Sequence, residues 1–236
     1  LVENDGSIET ARHERSLPVA EDKKIQIVLH QIQNLNFSVA GLQETKWFGD
    51  HEYLISGASV LNAGRPVPTE RGMPAYRGEG VAIVLLGLAQ RAWKNGGGQW
   101  RAVSSRVVVA KLLFGDQWLH VISCYAPTFA RPRHEKEKFY GELRDCLLSI
   151  PERDLYVVLG DFNARVGSSP GHEEDAWRQV RGPYGVGTMN EAGEELLSFL
   201  SMFNSRLCNT YFKKKDIHKV TWQHPRSQHW HCIDYV

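Results

Sequence analysis

The sequence lacks the features of membrane proteins, of cysteine-rich metal sites and of strongly charged chains. No segment has the roughly 18 consecutive apolar residues that cross a membrane, so we expect no membrane partner. The four cysteines show no Cys-x-x-Cys spacing and lie in apolar runs, which indicates reduced, buried thiols in an intracellular protein. The net charge is only +1, so any basic surface that binds nucleic acid has to be local.

What the sequence does contain is a succession of helical, extended and loop-forming patterns. Its 236 residues predict one large domain or two small ones, with a flexible lead-in over 1–23 and a folded domain over 24–236. Residues 56–80 are rich in glycine and proline and predict a loop-rich stretch with short strands at most, and residues 164–190 predict a long connection that contains glycine and proline. Helices are predicted around Ile25, Phe139 and Leu196. Strands are predicted at 38–42, 81–86, 106–114, 117–125, 155–159, 206–210, 220–222 and 232–236. Hairpins mixed with helices indicate an α+β fold, with helices covering a sandwich of sheets.

The most informative segment is Gly160-Asp161-Phe162-Asn163-Ala164, which follows the apolar run at 155–159. The run predicts a buried strand that ends at the carboxylate of Asp161. Because side chains alternate along a strand, Asp161 and Asn163 are expected on the same side if the extended geometry continues. A carboxylate and an amide together at the end of a strand are typical of a binding or catalytic site. The alternative is an ordinary Asp/Asn turn that closes a buried strand.

Other predicted strands end in polar residues of the same kinds. Glu44 follows the strand at 38–42, Tyr125 ends the second strand of a hairpin, and Asp234 follows Thr221 and Trp222 near the end of the sequence. Carboxylates that converge on one point suit a hard divalent cation such as Mg²⁺, with Mn²⁺ as an alternative. Such an ion neutralises charge on a phosphate that water attacks. Each residue also has an ordinary explanation, as a surface acid, a half-buried aromatic or a good strand former.

Five motifs occur in a fixed order, and together they resemble a known family. The motifs are Leu42-Gln43-Glu44-Thr45, Tyr125-Ala126-Pro127, the segment 160–164, Thr221-Trp222 and Ile233-Asp234-Tyr235. This order resembles the endonuclease/exonuclease/phosphatase family, which includes apurinic endonucleases and the endonuclease domains of non-LTR retrotransposons. Further segments, such as Glu44-Thr45-Lys46-Trp47, Ser105-Arg106-Val107 and Asn209-Thr210-Tyr211-Phe212, are similar to the RTE-type (LINE) branch and to craniofacial development protein-like derivatives. The resemblance covers residues 24–236.

The resemblance implies a fold, a reaction and partners. The fold would be a four-layer α/β/β/α sandwich of the DNase I-like type. The reaction would be magnesium-dependent hydrolysis of a DNA phosphodiester, which nicks the target for retrotransposition. The resemblance implies that Glu44 is the metal ligand, that Asp161 orients or deprotonates the attacking water, and that Asn163 holds the scissile phosphate. It also implies DNA as partner, a reverse transcriptase in the same longer polyprotein, and a nuclear location.

Supporting roles follow from the same resemblance, and so do two departures from the family pattern. Tyr125 would contact the phosphate or stabilise charge, Thr221 would support the site, and Asp234 would orient the catalytic histidine. However, the Trp-Asn pair of the family's first strand and the Ser-Asp-His of its final strand do not occur. We therefore expect a domain truncated at the C-terminus that lacks the first and last strands and cleaves with severely reduced activity.

Basic and aromatic residues near the end of the sequence are candidates for contact with DNA, through phosphates and displaced bases. They are Lys213, Lys214, Lys215, Lys219, Arg226 and Trp230. Zinc ligands of the right types also occur there, at His224, His229, His231 and Cys232. Zinc is disfavoured because the adjacent His231 and Cys232 would point to opposite faces of a strand. Two other functions remain open: an apurinic-site or other phosphoesterase of the same superfamily, and a catalytically dead relic that binds nucleic acid or protein.

Overall fold

The computed structural model describes residues 19–66, 79–169 and 175–236, with side chains from residue 23. Two β-sheets lie face to face, and three of the four described helices cover their outer faces. The helices are α1 (Val19–Asn34), α2 (Gly87–Asn95), α3 (Arg133–Leu148) and α4 (Glu191–Met202). The strands are β1 (Val39–Gln43), β2 (Asp50–Ile55), β3 (Ala58–Ala63), β4 (Val81–Leu85), β5 (Trp100–Ser104), β6 (Val107–Phe114), β7 (Gln117–Tyr125), β8 (Leu155–Asp161), β9 (Trp222–Gln223), β10 (Trp230–His231) and β11 (Asp234–Tyr235). Two 3₁₀ helices span Cys208–Tyr211 and Asp216–His218.

The first sheet has the strand order β1-β4-β3-β2, and every pairing in it is antiparallel. Its inner strands β3 and β4 are buried along their whole length, as expected for strands covered on both faces. Strand β1 lies at the sheet edge and pairs with β4 alone among the described residues. The segment that follows β1, beginning at Glu44, therefore projects from the border of the sandwich.

The second sheet has the order β11-β8-β7-β6-β5. Strands β6 and β7 form the predicted hairpin, and Gly115 in its two-residue turn has a φ of 64°, as such tight turns require. Strands β7 and β8 are parallel, whereas β11 pairs with β8 antiparallel. This topology places the carboxyl ends of β7 and β8 side by side at one edge of the sandwich. A separate two-stranded ribbon is formed by β9 and β10.

Three apolar clusters define the layers. Between the sheets, residues of β3, β4, β6 and β7 pack together, and Trp93 of α2 closes one end of this core. On the outer face of the first sheet, α1 packs through Ile25, Leu29 and Ile32. On the outer face of the second sheet, α3 and α4 share a cluster that includes Phe139. The result is the expected four-layer α/β/β/α sandwich.

The structure corrects several sequence predictions. In the predicted strand at 206–210, Leu207 forms an isolated bridge with Arg181, but a 3₁₀ helix begins at Cys208. There Thr210 Oγ1 donates to the carbonyl oxygen of Leu207 (2.7 Å) and accepts from the amide of Gly182 (2.7 Å). The stretch 56–80 contains the short strand β3, which the prediction allowed, since the turn at Ser56 and Gly57 returns the chain along β2. Predicted strands at 220–222 and 232–236 shrink to two residues each. The sequence patterns do not predict α2, β2 or β5.

The ends and loops of the chain give a mixed outcome. Helix α1 begins at Val19, inside the predicted lead-in, while residues 1–18 lie outside the described residues. The described parts of 164–190 contain no regular helix or strand, as predicted. The absence of a first and last strand of the family stays a prediction. No helix in the described part of the chain is long and apolar enough to span a bilayer.

Candidate active site

Polar side chains from both sheets meet at the carboxyl ends of β7 and β8. Asp161 ends β8, with Tyr125 opposite it in the parallel pairing and Asp234 opposite it in the antiparallel pairing. Three of the predicted site residues thus lie on three adjacent strands of one sheet. The ladders between these strands set their positions.

Glu44 reaches the same place from the other sheet. The hydroxyl group of Tyr125 donates to Oε1 of Glu44 at 2.7 Å, although the two residues are 81 positions apart. Glu44 and Lys46 have φ angles of 53° and 60°, in the left-handed region that non-glycine residues rarely occupy. Lys46 Nζ also lies 3.5 Å from Oε2 of Glu44. The site therefore bridges the two sheets through one short hydrogen bond.

Asn163 joins the site through a turn rather than through strand alternation. Strand β8 stops at Asp161, and Asn163 has a φ of 48°. Its backbone amide donates to Oδ1 of Asp161 (2.8 Å), and its Nδ2 donates to the carbonyl oxygen of Ala126 (2.9 Å). The expected proximity is present, but the prediction of continued extended geometry is wrong. A side chain–backbone turn of the Asx type brings the amide beside the carboxylate.

Thr221 supports Asp234 from the segment before β9. The amide of Ile233 donates to Thr221 Oγ1 at 3.2 Å, and the Thr221 side chain hydrogen-bonds the carboxyl group of Asp234. Within the described ranges, no histidine hydrogen-bonds this carboxyl group. The role of Asp234 in orienting a histidine therefore stays a prediction.

Burial and mutual repulsion control the charges at this site. Burial raises the pKa of Asp161 to about 7; the Asn163 amide opposes this rise, while the negative charges of Asp234 and Glu44 add to it. Burial also raises the pKa of Asp234, against the hydrogen bond from Thr221. Burial and the bond to Glu44 raise the pKa of Tyr125, so its phenol stays a neutral donor. Acids that repel one another favour an incoming cation.

The donor set fits a hard divalent cation that keeps most of its own water. Glu44 and Asp161 supply carboxylate oxygens, and the side chain of Glu44 is 46% exposed. Among the residues that the structure describes, no three or more His, Cys, Asp or Glu side chains form a group that could hold a metal ion. Mg²⁺ is commonly bound through one or two carboxylates and several waters, so the chemistry suits Mg²⁺ or Mn²⁺.

The alternative zinc cluster finds no support in the described residues. His224 instead closes the turn of the β9–β10 ribbon, since its Nδ1 accepts from the amides of Arg226 (3.2 Å) and Ser227 (3.1 Å). The ring of His231 stacks on Trp222, with 6.0 Å between ring centroids. These contacts give the histidines a structural role.

The candidate DNA-binding residues lie on the segments before and after Thr221. Lys213, Lys214 and Lys215 are exposed between the two 3₁₀ helices, and Lys219 pairs with Asp216 at 2.9 Å. Lys214 and Lys219 line a cavity of about 270 Å³ together with Thr221. Arg226 and Trp230 belong to the β9–β10 ribbon, where Trp230 is 57% exposed. Their contact with DNA stays a prediction.

Two residues near the site are not among the predicted site residues, although Arg106 lies in Ser105-Arg106-Val107, a segment similar to the RTE-type branch. The guanidinium of Arg106 lies over the ring of Tyr125, with Cζ 5.4 Å from the centroid, and its Nη1 donates to the carbonyl oxygen of Tyr125 at 3.2 Å. Its Nη2 pairs with Oε1 of Glu79 at 3.0 Å. Neither residue lies in the five motifs, because their connection depends on contacts between distant segments.

The comparisons with known proteins agree with this architecture. No protein-family model matches the chain. The chain is 27% identical over 215 residues to craniofacial development protein 2 of Bos taurus, which covers 90% of this chain and 33% of that protein. The same protein of Tragulus javanicus is also 27% identical, with 34% of its length covered. The chain thus spans about a third of the length of the curated relatives it matches.

Solved structures give the fold. The endonuclease domain of TRAS1, a telomere-specific non-LTR retrotransposon, matches with a TM-score of 0.52 at 13% identity, over 94% of this chain and 78% of that one. An AP endonuclease from Leishmania major matches with 0.53 at 13% identity, over 92% and 74%. An endonuclease/exonuclease/phosphatase family protein from Leptotrichia buccalis matches with 0.51 at 17% identity, over 93% and 81%. The chain therefore has the fold of the endonuclease/exonuclease/phosphatase family, as its motifs predict.

Proposed function

We propose that this chain is a magnesium-dependent DNA endonuclease that hydrolyses a phosphodiester bond. The observation that carries the proposal is the meeting of Glu44, Tyr125, Asp161, Asn163 and Asp234 at one edge of the sandwich. Separated in sequence, these residues come together as acids, an amide and a neutral phenol, which suits metal-assisted attack of water on a phosphate. The endonucleases among the structures with this fold support DNA as the substrate class.

Each side chain has a role that its surroundings support. Glu44, with Asp161 beside it, would hold the cation, and the bound cation supplies positive charge against the phosphate. Asp161 would take the proton of the attacking water, since its carboxylate lies at the end of β8 among the other polar groups of the site. Asn163 Nδ2 would donate to a phosphate oxygen. Tyr125 would donate a hydrogen bond near the same oxygen or hold Glu44 in place.

The leaving group presents a separate requirement. A histidine aligned by Asp234 would be the natural proton donor, and no histidine in the described ranges contacts that carboxyl group. General acids typically contribute about 10²- to 10⁴-fold to rate. We propose that cleavage by the described site residues alone lacks this contribution.

The wider biological role rests on similarity. We propose target nicking for retrotransposition, with a reverse transcriptase in the same longer polyprotein and action in the nucleus. Lys213, Lys214, Lys215, Lys219, Arg226 and Trp230 would form the DNA-binding surface, because Lys214 and Lys219 share a cavity with Thr221 and the set brings positive charge and an exposed aromatic ring.

Nicking of supercoiled plasmid tests the proposal. We expect conversion to open circles with Mg²⁺ or Mn²⁺ and none with EDTA. Replacing Asp161 by Asn should lower the rate by about 10²-fold or more, because the general base is lost. The matched control is Asp116→Asn, which removes an exposed carboxylate in the turn of the β6–β7 hairpin and should leave the rate unchanged.

Binding and substrate choice distinguish the other functions. Mobility shift in EDTA measures binding without cleavage. DNA binding by a folded chain that never nicks would identify a relic, whereas cleavage of abasic plasmid alone would identify an apurinic-site enzyme. Equal rates for wild type and Asp161→Asn would contradict the proposed base.

A further inference from the structure

A largely buried ion pair lies behind the bond between Glu44 and Tyr125. Arg106 Nη2 is 3.0 Å from Oε1 of Glu79, and the two side chains are only 12% and 17% exposed. Ion pairs withdrawn from water contribute little net stability, because desolvation offsets their attraction. The function of the pair is therefore to be sought in the residues that it contacts, rather than in its contribution to stability.

Arg106 contacts Tyr125 through both the ring and the backbone. Its guanidinium covers the ring, with Cζ 5.4 Å from the centroid, and Nη1 donates to the Tyr125 carbonyl oxygen at 3.2 Å. In addition, the Tyr125 amide donates to the Arg106 carbonyl oxygen at 2.9 Å. These contacts restrict the direction in which the phenol points.

Glu79 and its neighbour hold the turn that carries Glu44. The amide of Lys46 donates to the carbonyl oxygen of Glu79 (3.1 Å), and the amide of Thr45 donates to that of Gly80 (3.0 Å). The segment is tied in turn to the strand region of Arg106, since Ser105 Oγ donates to Oε2 of Glu79 at 2.9 Å. Main-chain bonds thus connect the left-handed turn at Glu44 with the Arg106–Glu79 pair.

We infer that Arg106 and Glu79 are positioning residues that keep Glu44 and Tyr125 in their joint arrangement. Left-handed conformations at Glu44 and Lys46 cost free energy and persist only where the surroundings enforce them. Glu79 holds the turn at Glu44, and Arg106 holds the phenol of Tyr125. The inference rests on the proposed function for its catalytic meaning, but the local order that it describes is measurable without catalysis.

Amide hydrogen exchange tests the positioning directly. In Glu79→Gln and in Arg106→Gln, the amides of Thr45 and Lys46 should exchange about 10-fold faster, because the carbonyl groups that accept from them are no longer held. The amides of Val109 and Ile122, in the second sheet, should keep their protection. Glu79→Gln keeps the size of the side chain and remains informative if Arg106→Gln fails to fold.

An exposed ion pair of similar geometry provides the control. Arg133 Nε lies 2.8 Å from Oε1 of Glu137, and the two side chains are 90% and 62% exposed. Arg133→Gln should leave exchange at Thr45 and Lys46 unchanged. Unchanged exchange at these amides in both Glu79→Gln and Arg106→Gln would overturn the inference, as would a uniform increase over the whole molecule.

Mn²⁺ affinity, followed by electron paramagnetic resonance, links the turn to the metal. We expect about 10-fold weaker binding in Glu79→Gln and Arg106→Gln, the usual effect of losing a residue that supports a metal ligand. Arg106→Lys should restore part of the Mn²⁺ affinity that Arg106→Gln loses. Lysine keeps the positive charge but cannot make both side-chain bonds of Arg106, to Glu79 and to the Tyr125 carbonyl oxygen. If Glu44→Gln leaves Mn²⁺ affinity unchanged, the metal assignment of the proposed function fails, and the exchange data alone then decide whether the pair holds the turn.

Discussion

At the scale of single residues, Asp161 shows how burial changes a common side chain. It lies at the end of the half-buried strand β8 with Asp234 and Glu44 nearby, and burial of its carboxyl group raises its pKa to about 7. The folded protein thus favours the protonated form of the Asp161 carboxyl group more than the unfolded chain does. The unfolded chain ionises the same group near its ordinary value of 3.8, so folding stability depends on pH through this residue.

The stability of Asp161→Asn relative to wild type should change with pH. Because the pKa of Asp161 is higher in the folded protein than in the unfolded chain, its protonation stabilises the folded state. This contribution to the free energy of unfolding is complete below about pH 4 and is lost as pH rises through about 7. The difference between the two pKa values corresponds to at most about 4 kcal/mol. We expect the variant to be the more stable protein at pH 8 in metal-free buffer, with a smaller difference at pH 5.

Urea unfolding at the two pH values measures this difference. Other titrating groups are common to both proteins, so the comparison isolates Asp161. An identical difference at pH 5 and pH 8 would show that the fold does not shift the pKa of this carboxyl group.

At the scale of elements, Asn190 links a helix to the loop beside the site. Its Oδ1 accepts from the amide of Gly193 in the first turn of α4 and from the amide of Arg165, both at 2.9 Å. The acidic residues at the start of α4 also match the positive end of the helix dipole. The helix start and the segment after Asn163 are therefore one structural unit.

Two glycines in helices should respond in opposite ways to alanine. A Cβ at Gly193 would lie 1.9 Å from the carbonyl oxygen of Arg165, whereas nothing lies within 4 Å of a Cβ at Gly141 in α3. Gly193→Ala should destabilise the protein by about 1–3 kcal/mol through overpacking. Gly141→Ala should stabilise it by about 0.5–1 kcal/mol through helix propensity. Thermal denaturation measures both; a stable Gly193→Ala variant would refute the close packing of α4 on this loop.

At the same scale, sequence patterns succeed where neighbours along the chain determine the structure. The β6–β7 hairpin is confirmed because its turn and both strands are contiguous. Residues 206–210 have a strand-like composition but form a 3₁₀ helix around Thr210, because they bond to the backbone at Gly182. Such a distant partner is invisible in a local pattern.

At the scale of the whole molecule, a cation that binds only the folded sandwich should stabilise it. At 100 times its dissociation constant, such a ligand adds about 2.7 kcal/mol. We expect Mg²⁺ or Mn²⁺ to raise the Tm of wild type but not that of Glu44→Gln. Glu152→Gln, which alters an exposed carboxylate, should respond like wild type. An equal rise in Tm for Glu44→Gln would show that Glu44 does not bind the cation.

The sequence by itself determined the order of the motifs, the apolar strand before Asp161, the hairpin and the sandwich class, because these depend on local periodicity and turn chemistry. Only the tertiary structure decided that Glu44 and Tyr125, 81 positions apart, share a hydrogen bond. It also decided the pKa of Asp161 and the placement of Arg106 and Glu79 behind the site. Burial and contacts between the two sheets produce these properties, and both arise only when distant segments pack together.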